Sequence, residues 1–285
     1  MAALPSSLTM HSPSRLRNTL CQFALALSTW SLLHSGALAA DPAHTTLRLG
    51  ATSGPYSDQL RYGVVPVLEK QGYKVKIVEF SDYVRPNMAL ADGDIDANLF
   101  QHEIYLKRFA QDHQLKLSEV IKVPTAPIGI YSKRHRSLAE VRPGATVALP
   151  NDATNMARAL GVLQEIGWIK LNEQANPTRV SERDIVSNIK QVKLIALEAA
   201  QMPRALEDVD FAFVNGAFAI ASGLKLTQAL HLASVPDSFL MVVAVRSADL
   251  DKPFVKDLRD AFRSPTYRKA LDERFEGYVR PDYLK

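Results

Sequence analysis

Cysteine is almost missing from this chain of 285 residues: there is one, Cys21, and it lies in the first forty. Downstream of that stretch there is no disulfide framework, thiol nucleophile or thiolate metal site. Other chemistry is missing too. The loop Gly50 to Gly54 lacks the third glycine of a dinucleotide fingerprint and the Lys-Ser/Thr of a phosphate loop, and no Gly-x-Ser-x-Gly elbow occurs. His102-Glu103-Ile104-Tyr105-Leu106 begins like the zinc motif H-E-x-x-H, but Leu106 stands where the second histidine belongs, which excludes that metal site. Charge of one sign is scarce as well. The formal net charge is +4, and basic residues are interleaved with acids, so no nucleic-acid footprint is present. No catalytic residue, cofactor or metal is expected.

The first forty residues differ from the rest. Arg15 and Arg17 precede an apolar stretch from Phe23 to Leu33, then Ser35-Gly36-Ala37-Leu38-Ala39-Ala40, with no acid before Asp41. A basic start, an apolar middle and small residues in Ala-x-Ala form make a secretory signal, with cleavage expected after Ala39 or Ala40. The apolar stretch is short for a membrane span. Removing residues 1–39 takes away two basic residues and no acid, so +4 becomes +2. Cys21 precedes most of the apolar stretch, the wrong place for a lipid-modified cysteine. The expected product is a free soluble protein of the periplasm.

The remainder alternates strand and helix signals. Strands are expected at Leu47–Gly50, Tyr73–Phe80, Ile95–Leu99, Val120–Val123, Pro127–Tyr131, Ala145–Leu149, Leu194–Leu197, Phe211–Val214 and Met241–Val245. Helices are expected up to Gly72, over 84–91, 102–112 and 154–167, ending near Glu207, and over 253–263 and 265–274; residues 172–184 read as polar and irregular. Repeated β-α-β units with short loops predict parallel sheets covered by helices. The run from Ala89 to Asp96 is echoed by that from Ala205 to Ala212, each a helix end, an acidic turn and a buried strand. Two such units suggest two lobes, although short helix-turn-strand units also match by chance. In open α/β sheets ligands sit beyond the carboxyl ends of the strands, where Phe100, Asn155 and Asn215 fall.

The richest segment is Asn151 to Leu160. A short apolar strand stops at Pro150, Asp152 or Thr154 can cap a helix, and Asn155 and Arg158 share one face of it. A guanidinium, an amide and helix N–H groups at a strand end form a receptor for a carboxylate. The competing reading is a capped surface helix whose arginine pairs with a nearby acid. Tyr83, Phe100, His102 and Tyr105 gather near two strand ends and can line an apolar slot, or simply pack a core. Taken with Asn155, Arg158 and Asn215, they describe a pocket with one charged end and one aromatic end, which suits an amino acid.

The ordered residues Glu79-Phe80-Ser81-Asp82-Tyr83-Val84-x-Pro86-Asn87, Ala89-Leu90-Ala91-Asp92-Gly93-x-Ile95-Asp96-Ala97-Asn98-x-Phe100-Gln101-His102, Pro150-Asn151-Asp152-x-Thr154-Asn155-x-x-Arg158-Ala159-Leu160 and Leu197-Glu198-Ala199-x-Gln201-x-Pro203-Arg204-Ala205-Leu206-x-Asp208-Val209-Asp210 resemble the methionine-binding lipoprotein family, the solute receptors of methionine ABC importers. The resemblance runs from about Leu47 to the last helix. It implies an α/β, two-lobe periplasmic binding protein, type II-like, with the ligand cleft between lobes of 46–128 plus 240–285 and of 129–239. It implies that Arg158 pairs with the ligand carboxylate, that Asn155 and Asn215 hold the polar head, and that Tyr83, Phe100, His102 and Tyr105 enclose the side chain. The implied partners are a methionine-like amino acid and a permease–ATPase complex, with the receptor itself a monomer. Two positions depart from the family. Ala39-Ala40-Asp41 stands where a lipid-bearing cysteine is usual, so a lipid anchor is not provided for. Phe239-Leu240-Met241 replaces a Tyr-Val-Asn pattern, and Met241 cannot accept from an ammonium as an amide does. A different small carboxylate is therefore an alternative ligand, and a secreted enzyme on the same fold is a more remote alternative.

Overall fold

The computed structural model describes residues 40–285, and the signal reading of residues 1–39 lies outside them. The strands are β1 (Thr46–Thr52), β2 (Lys74–Phe80), β3 (Ala97–His102), β4 (Leu117–Val123), β5 (Gly129–Tyr131), β6 (Thr146–Pro150), β7 (Lys170–Leu171), β8 (Ile185–Ser187), β9 (Lys193–Leu197), β10 (Phe211–Val214), β11 (His231–Leu232) and β12 (Met241–Arg246). The helices are α1 (Pro55–Gln59), α2 (Val65–Lys70), α3 (Arg85–Asp92), α4 (Glu103–Asp112), α5 (Ala153–Glu165), α6 (Met202–Ala205), α7 (Gly216–Ala221), α8 (Pro253–Arg263) and α9 (Pro265–Arg274).

Two five-stranded sheets organise two lobes. One runs β2-β1-β3-β12-β4, the other β11-β5-β10-β6-β9. In each, the α/β units place strands in parallel (β2, β1 and β3; β9, β6 and β10), and one strand from a crossing connection runs antiparallel to them, β12 in the first sheet and β5 in the second. The chain leaves the first sheet after β4 and returns to it as β12, between β3 and β4. Two connections therefore cross between the lobes. Thr125 on the first accepts a 2.6 Å hydrogen bond through its Oγ1 from the Met241 N–H at the end of the second.

Burial explains why the central strands read as nearly continuous apolar runs. β3, β6, β10 and β12 are buried on both faces because helices cover each sheet front and back. Leu47, Leu49, Val243 and Val245 face a core shared with the C-terminal helices, through Phe254, Leu258, Phe262 and Tyr267, while Leu90, Ile95, Leu106 and Val242 fill the opposite face. Edge strand β2 alternates instead.

The helix expected up to Gly72 is interrupted by a π-helical turn, Leu60–Val64. Pro66 has no N–H for the regular ladder, so the turn widens just before it. Gly63 in that turn lies flat against Tyr267, whose ring carbon would stand 2.4 Å from an added Cβ. The polar segment 172–184 lies between β7 and β8, which pair with each other. Helix α7 and strand β11 were not expected. The echo between the two units holds with a shifted register. Asp96 accepts from the Arg48 N–H at 2.7 Å, and Asp210 accepts from the Thr146 N–H at 2.7 Å. The structural counterpart of Asp210 is thus Asp96, two positions beyond the residue that the sequence alignment pairs with it.

Gly216 opens α7 directly against the first crossing connection. A Cβ there would lie 2.5 Å from the Pro127 carbonyl oxygen and 2.6 Å from the Ala126 Cβ. Gly216→Ala is expected to destabilise the protein by about 1–3 kcal/mol through overpacking against a backbone that cannot yield. Urea denaturation measures this, and an unchanged midpoint would show that the contact is relieved easily.

Candidate functional site

All seven residues expected at the site lie at the junction of the two lobes. β3 carries Phe100 and ends at His102, because the His102 backbone is extended while its side chain caps α4. The Nδ1 atom accepts from the Tyr105 N–H at 3.1 Å. That bond makes Nδ1 an acceptor and leaves the proton of a neutral imidazole on Nε2. The expectation of a packing or contact role for His102 missed this cap. Burial, reinforced by the nearby Arg158 charge, lowers the His102 pKa to about 3, with the Asn155 side chain opposing the shift. The ring is therefore neutral at any ordinary pH, and its buried Nε2 makes no formed hydrogen bond.

The aromatic end assembles around it. Tyr83 lies 5.9 Å from Phe100 and 6.0 Å from Tyr105, centroid to centroid, and Phe100 meets Tyr105 edge-on at 6.0 Å. Tyr105 Oη donates to the Tyr83 carbonyl at 2.9 Å, which fixes the loop carrying Tyr83. Across the lobes, Tyr83 packs on Phe218 of α7 at 4.9 Å. Burial pushes both tyrosine hydroxyls well above their ordinary pKa, so neither is a source of charge. Together with Asn155 and Asn215 these side chains line a small, partly open cavity, whose wall also includes Gln101 and Met241.

The polar end comes from the second lobe. Asp152 caps α5: its Oδ1 accepts from the Asn155 N–H at 3.0 Å. This changes one expectation. The helix N-terminus is not open to a ligand anion, because the cap carboxylate already occupies it. Burial raises the Asp152 pKa, and hydrogen bonds from Asn155 and Thr154 oppose the rise. Asn155 Nδ2 donates to both carboxylate oxygens, at 3.1 and 3.0 Å, and Asn155 Oδ1 accepts from Asn215 Nδ2 at 3.0 Å. Asn215 Oδ1 is buried and has no partner among the described residues.

Arg158 is buried, 8% exposed, on the same helix. Its guanidinium donates to the Ser234 carbonyl at 3.2 Å and lies 4.5 Å from the centre of the Phe239 ring. Among the described residues no Asp or Glu pairs with it. Burial lowers its pKa to about 10, and the groups that oppose this are Tyr56 and Tyr83, not an acid. The competing reading, a surface helix with a paired arginine, is excluded by this burial. Arg158 stands beside the cavity rather than in its wall, with its guanidinium carbon over the Phe239 ring. A guanidinium that gives a single hydrogen bond among the described residues keeps further N–H groups for a carboxylate.

Phe239, Phe218, Gln101 and Asp152 were not among the expected site residues. Asp152 had a legible signal, since a cap residue two positions after a strand is a polar group at a strand end. Phe239 was legible only as part of the departure from the family's Tyr-Val-Asn pattern, and Phe218 had no signal, since nothing local distinguishes a phenylalanine that crosses a cleft from one in a core. No cluster of His, Cys, Asp and Glu suited to a metal occurs among the described residues, and no described helix is long and apolar enough to cross a membrane.

Known proteins resemble this chain in sequence and fold. A nutrient-binding protein from Burkholderia cenocepacia, solved bound to methionine, superposes with a TM-score of 0.79 at 39% identity, covering 82% of this chain and 99% of its own. The D-methionine-binding lipoprotein MetQ of Salmonella typhi is 38% identical over 242 residues, 83% of this chain and 88% of its own length. The protein of the same name from Escherichia coli K12 is 36% identical over 242 residues, again 83% of this chain and 88% of its own length. The sequence model of the NlpA lipoprotein family matches residues 47–283. With a match over most of its length and the two-lobe architecture of these relatives, this chain belongs to the NlpA lipoprotein family.

Proposed function

We propose that this protein is a periplasmic solute-binding receptor that captures methionine or a related amino acid and delivers it to the permease and ATPase of an ABC importer. One observation carries the reading: a buried arginine, with no acid partner among the described residues, lies beside a small aromatic-lined cavity between two lobes. A buried cation of this kind is costly unless an anion joins it. In the complex, Arg158 holds the carboxylate, Asn155 and Asn215 hold the polar head, and Tyr83, Phe100, His102 and Tyr105 surround the side chain. A thioether is polarizable and packs well against such rings. The relatives that bind methionine support the choice of ligand class. The lobes, 46–128 with 240–285 and 129–239, close over the ligand about the crossing connections, and closure is the signal to the transporter.

Mass spectrometry of small molecules released from freshly purified protein identifies the ligand, and calorimetric titration with both methionine enantiomers after unfolding and refolding measures it. Dissociation constants in the micromolar range or tighter are expected for at least one enantiomer. No heat with any amino acid would sink the proposal. Met241 in the cavity wall favours one second reading, a carboxylate ligand with a less polar head than an ammonium, such as an N-acyl or 2-hydroxy acid. Tighter binding of such an analogue than of methionine would establish it.

A further inference from the structure

The direction in which the Asn215 amide points is set two residues away. Asp152 receives the Asn155 N–H at 3.0 Å, the Thr154 hydroxyl at 3.1 Å and the Asn155 Nδ2 at 3.1 and 3.0 Å. A carboxylate in this position only accepts. Were the Asn155 amide reversed, its carbonyl oxygen would face the carboxylate, acceptor against acceptor. Its NH2 is therefore held toward Asp152 and its Oδ1 toward Asn215. Asn215 must then donate, as it does at 3.0 Å, and its own oxygen is left over. That oxygen is buried, unpartnered and in the cavity wall. The wall also presents the His102 Nε2–H, which lies near the Asn155 side chain and forms no full hydrogen bond among the described residues. The Asn215 oxygen has no partner among the described residues, and a buried acceptor is costly to leave unmade.

We infer that Asp152 is a positioning residue for ligand recognition, which acts through Asn155 to hold the Asn215 oxygen toward the cavity as an acceptor for the ligand amine. The inference rests on the proposed amino-acid function for its ligand. A relay of this kind reverses as a unit. With an amide at position 152, the oxygen still caps α5 while the new NH2 donates to Asn155 Oδ1. The Asn155 amide then turns, its NH2 donates to Asn215 Oδ1, and the Asn215 NH2 faces the cavity. The site would change from an acceptor for an amine to a donor for a carbonyl, with each side chain of the relay still bonded to the next.

Asp152→Asn tests this, with L-methionine and its 2-oxo analogue, which carries a carbonyl in place of the amine, as probes in calorimetric titration. The expected result is a loss of tenfold or more in affinity for methionine, with affinity for the 2-oxo acid unchanged or increased. Equal losses for both probes would reduce Asp152 to a helix cap, and no change for either would overturn the relay. Nuclear Overhauser contacts of the Asn155 and Asn215 side-chain amide protons in the unliganded wild type give a second readout that needs neither the variant nor a ligand. Asn215 amide protons close to the Asn155 side chain are expected, and the same protons directed at His102 would overturn the inference. If the wild type binds neither enantiomer of methionine nor any other amino acid, the proposed function falls, while the amide contacts still decide the relay.

Discussion

Arg158→Ala is expected to weaken methionine binding at least a hundredfold while leaving the unliganded protein as stable as before, or more so. The two effects share one cause. Removing one partner of a buried charge pair costs about 2–5 kcal/mol of binding, and a hundredfold corresponds to roughly 2.7 kcal/mol. In the unliganded protein the same side chain is a buried cation held by one carbonyl and one ring face, without an acid partner among the described residues. Burial lowers its pKa to about 10, so it remains charged at neutral pH and the folded state bears the desolvation. Deleting it removes that burden, at the cost of a cavity and the packing on Phe239. Thermal melting with and without methionine reads both effects. The wild type should gain a ligand-dependent rise in Tm that the variant lacks. An unchanged dissociation constant would place the ligand carboxylate elsewhere, and a variant that unfolds outright would give Arg158 a structural role instead.

The second large effect concerns acid. His102 has a pKa of about 3 when folded against an ordinary 6.5, because burial and the Arg158 charge both oppose protonation. Above pH 6.5 the ring is neutral in both states and costs nothing. Below it the unfolded chain takes up a proton that the folded chain refuses. Stability should fall by about 1.4 kcal/mol per pH unit from that point down to about pH 3, where the loss is complete. By pH 4.5 the loss from this one group is about 2–3 kcal/mol on the same slope. His102→Gln keeps a side-chain acceptor for the Tyr105 N–H and removes the titration. Urea unfolding of both proteins at pH 7.5 and 4.5 isolates the contribution, since losses from carboxylates are common to the pair. The wild type should lose about 2–3 kcal/mol more than the variant. A His102 ring that titrates near 6.5 by NMR would mean that water reaches the cavity freely, and the difference would vanish.

Both predictions depend on burial, and burial was only partly legible in the sequence. The central strands could be recognised because a sheet covered on both faces demands nearly unbroken apolar runs, as in Phe211–Val214 and Met241–Arg246. Helices α8 and α9 could be placed to the residue because Pro253 and Pro265 begin them. β11 and α7 were missed because they are short and their pairing comes from distant residues, as when His231 meets Ile130. The π-helical turn was missed because its cause combines Pro66 with close packing by Tyr267 from the far end of the chain.

For the site, residue types and their spacing along α5 and β3 were enough to nominate a cation, two amides and a set of rings, because local periodicity decides which side chains share a face. Whether the helix N-terminus was open could not be read, since that depends on the rotamer of Asp152. Which atoms would be left without partners was also out of reach, because hydrogen-bond satisfaction is a property of all neighbours at once. The tertiary structure alone decided that His102 is neutral, that Asn215 turns an oxygen inward and that Arg158 lies over Phe239. Each of these follows from groups far apart in sequence meeting where water is excluded, and only there are polarity and charge strong enough to select a ligand.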